Sequence, residues 1–267
     1  MSVAPITELN AVKWTSENGS ESELNSIASE VPLALVYNGE PFSVMMVSPL
    51  DLEEFVVGFS LTEHIVDKPE DIDGIEFVDS EKGISAYISV DKQFSEAMVK
   101  RRKNLIGRTG CGICGEETLE ATIRNLRLVK DSKTYETEII QRAINALSGA
   151  QTLNHYVGTL HGAAWADNKG QIIEVREDVG RHNALDKLIG AIATDKTDSK
   201  DGFVLITSRA SYEMVSKVAT ANVGLLVAVS GPTSLAINTA LDSGVTLIGF
   251  ARDGRQTVYT HKHRVLM

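Results

Sequence analysis

FVLITSRASYEMVSKVATANVGLLVAVSGPTSLAINTALDSGVTLIGF, residues 203–250, is the stretch whose reading decides the fold. Three short, continuously apolar runs, Phe203–Thr207, Leu225–Ser230 and Val245–Phe250, alternate with segments of helical period, Tyr212–Val223 and Thr233–Leu241. A strand that is apolar at every position is covered on both faces. Strands joined through helices lie parallel, so this region is an α/β layer with a parallel portion. Upstream, His161–Ala166 and Gln171–Arg176 flank a Lys169-Gly170 turn and read as a hairpin, and Arg181–Ala193 reads as a helix. Thr257–Thr260 adds an edge strand.

In such sheets ligands bind outside the carboxyl ends of the strands. Those ends read Thr207-Ser208-Arg209, then Ser230-Gly231-Pro232-Thr233-Ser234, then Arg252-Asp253-Gly254-Arg255. Hydroxyls and backbone amides at helix starts, with arginines close by, suit a phosphate group. One such tripeptide is only a turn, but its recurrence at three successive strand ends points to a phosphate-bearing ligand. Between the second strand and its helix lies Glu177-Asp178-Val179-Gly180-Arg181-His182-Asn183. Asp178 is a helix-cap candidate, and Arg181 with His182 reads equally as a pair facing the crevice or as solvated charge.

The only two cysteines stand at Cys111 and Cys114, spaced C-x-x-C within Gly107-Arg108-Thr109-Gly110-Cys111-Gly112-Ile113-Cys114-Gly115. Four glycines around two thiols leave the sulfur atoms little side-chain cover, which suits reactive rather than structural cysteines. Arg108 and a helix start at Glu116 favour the thiolate, while Glu116 and Glu117 oppose it. A disulfide here would close too short a loop to stabilise much. A zinc site needs four ligands where this motif supplies two, and no pair of histidines has H-x(3–5)-H spacing, so no structural metal is expected.

The chain divides at residue 30, at about residue 105 and after residue 116. Residues 1–30, rich in Ser, Glu and Asn, read as a loosely ordered lead-in. Residues 31–105 read as a small α+β domain. Val31–Tyr37 and Pro41–Val47 flank Asn38-Gly39, the strongest short hairpin signal. Ser48, a cap candidate, and Pro49 at the first helical position then open a helix over Leu50–Val66 with Leu52, Phe55, Val56 and Phe59 on its buried face. His64 lies near its end, where an imidazolium suits the dipole. Ile72–Asp79 and Ile84–Asp91 are further strands, and Phe94–Arg102 is a helix ending in the basic run Lys100–Lys103, a solvated end or an anionic-partner contact. Residues 106–116 are the glycine-rich cysteine loop, and 117–267 hold two helices, Glu116–Asn125 and Thr137–Leu147 with a stop at Ser148-Gly149, before the α/β layer.

At 267 residues the chain can bury a substantial core. Its composition, 43% hydrophobic and 23% charged, is that of a globular protein. A net charge of −10 argues against broad nucleic-acid binding, so any anion site is local. No apolar run of membrane-spanning length and no cationic, apolar leader is present, and a C-x-x-C pair suits a reducing compartment; the expectation is a soluble cytoplasmic protein without membrane contact.

Four ordered motifs, the glycine-rich cysteine loop, Arg176–Lys187, Thr207–Met214 and Phe250–Arg255, resemble the FdhD/NarQ family of formate dehydrogenase accessory sulfurtransferases from about residue 30 to the end. The resemblance implies a smaller N-terminal α+β domain and a C-terminal α/β layer domain like that of cytidine deaminases, assembled as a homodimer. It implies that a cysteine desulfurase hands sulfane sulfur to Cys111, with Cys114 as its partner in the loop. The persulfide sulfur would then pass to the bis-molybdopterin guanine dinucleotide form of the molybdenum cofactor, for formate dehydrogenase. Phe250, Ala251, Arg252, Asp253, Gly254 and Arg255 match the segment that contacts this cofactor, and Ser208, Arg209, Ser230, Gly231 and Thr233 are the strand-end residues expected to join them. The alternative is a cofactor-binding chaperone without covalent sulfur transfer. A zinc deaminase is disfavoured, because His161-Gly162-Ala163 lacks the glutamate of H-x-E and no proline precedes Cys111. A thioredoxin-like oxidoreductase would place its cysteines after the first strand of a βαβ unit.

Overall fold

The computed structural model describes residues 3–91, 93–94, 126–130, 133–194 and 201–267. Cys111, Cys114 and their loop, together with the helix expected over Glu116–Asn125 and all but Phe94 of that expected over Phe94–Arg102, lie outside the described residues.

Alternation sets the first unit. In β3 (Val31–Tyr37) the odd-numbered residues Val31, Leu33, Leu35 and Tyr37 are buried and the even-numbered ones are not. It pairs antiparallel with β4 (Glu40–Val47) across Asn38-Gly39, both of which adopt positive φ as the tight turn requires. β5 (Ile72–Ser80) and β6 (Gly83–Val90) complete a four-stranded sheet of order β4-β3-β6-β5, in which β3 and β6 are parallel. Helix α1 (Leu52–Thr62) covers one face of it, with Phe55, Val56 and Phe59 packed on Leu33, Leu35, Ile84, Ala86 and Ile88.

This helix is shorter than the expected Leu50–Val66, and Ser48 does not cap it. Asp51 precedes it in the left-handed region at φ 53° without a side-chain cap. Ser48 is drawn elsewhere: its N–H donates to Asp178, its carbonyl accepts from Lys187, and its hydroxyl accepts from the Val179 N–H.

The segment expected as a loose lead-in is instead a hairpin. β1 (Ile6–Thr15) pairs antiparallel with β2 (Gly19–Ala28) in unbroken register. Its side chains are mostly exposed, so the backbone ladder rather than apolar burial orders it, and alternation of buried and polar residues, the usual strand signal, is missing.

The second unit is a three-layer α/β/α arrangement. Its six-stranded sheet comprises β8 (His161–Asp167), β9 (Ile172–Asp178), β10 (Gly202–Ile206), β11 (Leu225–Ala228), β12 (Thr246–Arg252) and β13 (Arg255–Val258), in the order β13-β12-β11-β10-β8-β9. β10, β11 and β12 are mutually parallel, and the hairpin β8-β9 and the edge strand β13 run antiparallel. The continuously apolar strands are covered on both faces, as their composition requires. Phe203 and Leu205 pack against Ile140, Ala143, Ile144 and Leu147 of α2 (Thr137–Ala150). Val204 and Ile206 pack against α4 (Arg181–Thr194), α5 (Tyr212–Thr220) and α6 (Ser234–Ser243) on the opposite face. A short helix α3 (Asn154–Val157) precedes β8, and β7 (Tyr135–Glu136) pairs with the terminal β14 (Val265–Leu266). Helix α2 runs through Ser148-Gly149, where a stop was expected, since Gly149 has open space around it and no positive φ.

Helices α1 and α4 join the two units across a seam of very close backbone approach at Gly58 and Gly190. Buried polar groups cross the same seam. Lys217 Nζ lies 2.9 Å from both Asp186 carboxylate oxygens and 2.9 Å from Thr62 Oγ1, and the Thr62 hydroxyl donates to Asp186 at 2.7 Å. Desolvation raises the Asp186 pKa against the stabilising charge of Lys217.

Candidate functional site

The parallel strands β10, β11 and β12 all end at one edge of the large sheet, and the antiparallel β8 starts there. At this edge the three polar strand ends come together. The turns after β10 and β11 are tied to each other by a bridge between Ala210 and Pro232 and by the Thr233 N–H donating to the Ala210 carbonyl at 3.0 Å. Thr233 caps α6, its hydroxyl accepting from the Ala236 N–H at 3.2 Å. Ser208 is buried and its hydroxyl donates to the Arg209 carbonyl at 3.1 Å, while Arg209 itself projects into solvent.

Phe250 joins this group by an unusual backbone. It sits at φ 51°, where a β-bulge shifts the register of β12 between Gly249 and Arg252, and its N–H donates to the Ser230 carbonyl at 3.1 Å. The ring is 50% exposed and lies against Gly231, where an added Cβ would stand 2.5 Å from the ring edge. A flat apolar surface is thus held open to solvent beside Ser230 and Gly231. Ala251 turns into the core. Arg252, Asp253, Gly254 and Arg255 form the exposed turn to β13, held down on α2 by Asn145 donating to Asp253 at 3.0 Å and by the Gly254 N–H donating to Gln141 at 2.9 Å. The guanidinium groups of Arg209, Arg252 and Arg255 make no ion pair with any described residue. The expected binding residues therefore lie along one edge of the sheet, with Ala251 buried and the hydroxyls of Ser208 and Thr233 engaged locally.

The opposite end of the edge is built from the Glu177–Asn183 motif. Register places His161, at the start of β8, opposite Asp178 at the end of β9. Glu177 accepts from the backbone N–H groups of Leu153 and Asn154, both at 2.8 Å. Asp178 was expected as a helix cap, and one oxygen does accept from the Gly180 N–H. The other is the buried counter-ion of Lys187, 2.7 Å away, with both side chains fully buried. His182 Nε2 stands 2.8 Å from Glu213 Oε2 at the start of α5. His161 is half-buried and its pKa is lowered, first by desolvation and then by the positive charges of Arg181 and His182, against the opposing pull of Asp178. Glu213 and Ser211, which complete this end, were not singled out in the sequence. Their signal there is membership in the Thr207–Met214 motif, just after a polar strand end.

Among the described residues, no group of three or more His, Cys, Asp and Glu side chains is placed to hold a metal ion, and no helix is long and apolar enough to cross a membrane.

Residues 28–266 match the model of the FdhD/NarQ family. The sulfur carrier protein FdhD of Xanthomonas euvesicatoria pv. vesicatoria (strain 85-10) is 45% identical over 264 residues, an alignment covering 99% of this chain and 94% of the relative. That of Bordetella petrii is 44% identical over 247 residues, covering 92% of this chain and 89% of the relative. Among solved structures, a protein from Desulfotalea psychrophila described as a formate dehydrogenase accessory protein superposes with a TM-score of 0.78 at 24% identity, over 98% of this chain and all of that one. With the family model spanning residues 28–266 and these relatives aligned over 92% and 99% of it, the chain belongs to the FdhD/NarQ family.

Proposed function

We propose that this protein is a sulfur carrier that accepts sulfane sulfur on Cys111 and delivers it to a molybdenum cofactor of the bis-molybdopterin guanine dinucleotide type, destined for formate dehydrogenase. The observation that carries the reading is the C-x-x-C pair at Cys111 and Cys114, the chain's only thiols, set among glycines in a chain 45% identical to a protein named a sulfur carrier. The chemistry is thiol exchange. The Cys111 thiolate attacks the terminal sulfur of a cysteine desulfurase persulfide, an S–S bond forms to Cys111, and the desulfurase cysteine leaves as its thiolate. No net oxidant is needed, because the sulfane sulfur keeps its oxidation state. Cys114 lies close enough in sequence to share or resolve the sulfur.

The crevice supports the nature of the acceptor. The exposed Phe250 ring beside Gly231 offers a stacking surface for a purine, and the exposed guanidinium groups of Arg209, Arg252 and Arg255 at the same sheet edge, in no ion pair among the described residues, suit phosphates. A guanine dinucleotide has both features.

Intact-protein mass spectrometry after incubation with a cysteine desulfurase and cysteine tests the carrier step. The expected result is a reductant-sensitive gain of one sulfur that is absent in Cys111→Ala. If the wild type gains no sulfur yet binds GDP, the protein is a cofactor chaperone and the sulfur-carrier reading is refuted.

A further inference from the structure

We infer that Arg181, Ser211 and His161 form a second anion subsite, for a phosphate or diphosphate group, at the β9 end of the crevice.

Each carboxylate at this end is already engaged: Glu177 by the amides of Leu153 and Asn154, Asp178 by Lys187, Asp186 by Lys217 and Glu213 by His182. Arg181 stands apart from these pairs. Among the described residues its Nε is buried without a hydrogen-bond partner, and no carboxylate lies within ion-pair distance of it. Ser211 is the N-cap residue of α5, the position from which a serine oxygen ordinarily accepts a helix amide, yet its Oγ is also buried and unpartnered. These two groups flank the His182–Glu213 contact that fastens the start of α4 to the start of α5.

A buried donor left without an acceptor costs about 1–3 kcal/mol, more when it is charged, so two such groups at helix starts that the His182–Glu213 contact joins call for an acceptor that arrives from outside. The acceptor must be anionic to match the guanidinium and must carry several oxygens to reach the hydroxyl as well. The pKa of His161 is lowered first by burial and then by the positive charges of Arg181 and His182, which places Arg181 within electrostatic reach of the imidazole. A neutral imidazole can donate one more hydrogen bond to such a group.

His161 on β8 is three strands away from Phe250 on β12, about 14 Å at the usual strand spacing. This subsite is therefore separate from the one around Phe250 and Arg252. It does not rest on the sulfur-carrier reading, because it concerns an anion alone and needs neither thiol nor partner protein.

Isothermal titration of the full chain with inorganic pyrophosphate tests the inference. Wild type should bind saturably, with an affinity that falls as salt is raised. Arg181→Gln should weaken binding about tenfold or more, and Ser211→Ala should weaken it by a smaller factor. The charge-matched change Lys169→Gln, in an exposed turn, should leave it unaltered. The melting temperature of Arg181→Gln without ligand should not fall, because no carboxylate loses a partner. If Arg181→Gln does not fold, Ser211→Ala and His161→Asn carry the test. The inference is overturned if wild type does not bind pyrophosphate, if the Arg181 and Ser211 variants bind it as wild type does, or if Lys169→Gln weakens it equally.

Discussion

Replacing Gly190 by alanine puts a methyl carbon 1.9 Å from the Glu54 carbonyl oxygen and 2.9 Å from the Gly58 amide nitrogen. The reciprocal change at Gly58 meets the Asp186 carbonyl oxygen at 1.8 Å. Both obstacles are helix backbone, which cannot rotate away as a side chain can. Ordinary contact begins near 3.4 Å, so α1 and α4 must separate by roughly 1.5 Å. A gap of that size forfeits much of the dispersion along the seam, and it stretches the Thr62–Asp186–Lys217 contacts that cross it. Overpacking of this kind costs about 1–3 kcal/mol or more, and the better helix propensity of alanine returns up to about 1 kcal/mol. With buried hydrogen bonds strained as well, a net loss of about 3 kcal/mol is expected. That corresponds to a melting temperature lower by about 6–12 °C in a chain of this size. Thermal unfolding followed by circular dichroism measures it. The control is Gly149→Ala in α2, where nothing lies within 4 Å of the new methyl and a gain of about 0.5–1 kcal/mol is expected. A Gly190→Ala protein that melts within about 1 °C of wild type would refute the claim that this seam is a tight backbone contact.

Lys187→Met leaves Asp178 buried and uncompensated and should lower stability by about 3–5 kcal/mol; adding Asp178→Asn should restore part of it, and denaturant midpoints at constant slope would show both. For His161 the sign follows from its lowered folded-state pKa. As pH falls through the unfolded value of 6.5 the unfolded chain binds a proton that the folded chain refuses, so stability is lost until pH drops below the folded value. His161→Gln should therefore narrow the difference in melting temperature between pH 8 and pH 5, and an unchanged difference would contradict the shift. Phe250→Gly removes a ring while relaxing a left-handed backbone that costs a non-glycine residue about 1–2 kcal/mol. GDP binding by titration should weaken about tenfold or more with little change in melting, whereas unaltered GDP affinity would rule out stacking on this ring.

Much of the architecture was legible because it rests on local patterning. Apolar runs at 203–207, 225–230 and 245–250 can only be strands buried on both faces, and α2 and α4 to α6 supply the two covers. Asn38-Gly39 marks its hairpin through backbone conformation alone. The misread segments share one feature: long-range partners decide them. Ser48 looks like a helix cap until Asp178 and Lys187, more than a hundred residues later, take its backbone groups. The β1-β2 hairpin has no apolar face to announce it, and its order comes from a backbone ladder that residue types do not encode.

The two ends of the crevice differ in the same way. Around Phe250 the site is made by turns that directly follow neighbouring parallel strands, so their polar residues could be read off the sequence in order. At the β9 end, Arg181 and His182 are positioned by Asp178, which is fixed by Lys187 and by the Ser48 amide, and Asn183 donates to the Met46 carbonyl of β4 at 2.7 Å. The first sheet therefore supports the start of α4 directly. Its α1 meets α4 again about two turns farther along, at the glycine seam. A chain cut down to the α/β layer would keep the Phe250 end, whose contacts are internal to β10, β11, β12 and α2. It would lose the Ser48 and Met46 backbone contacts to Asp178, Lys187 and Asn183 that steady the start of α4, which gives the small N-terminal sheet a part in the site.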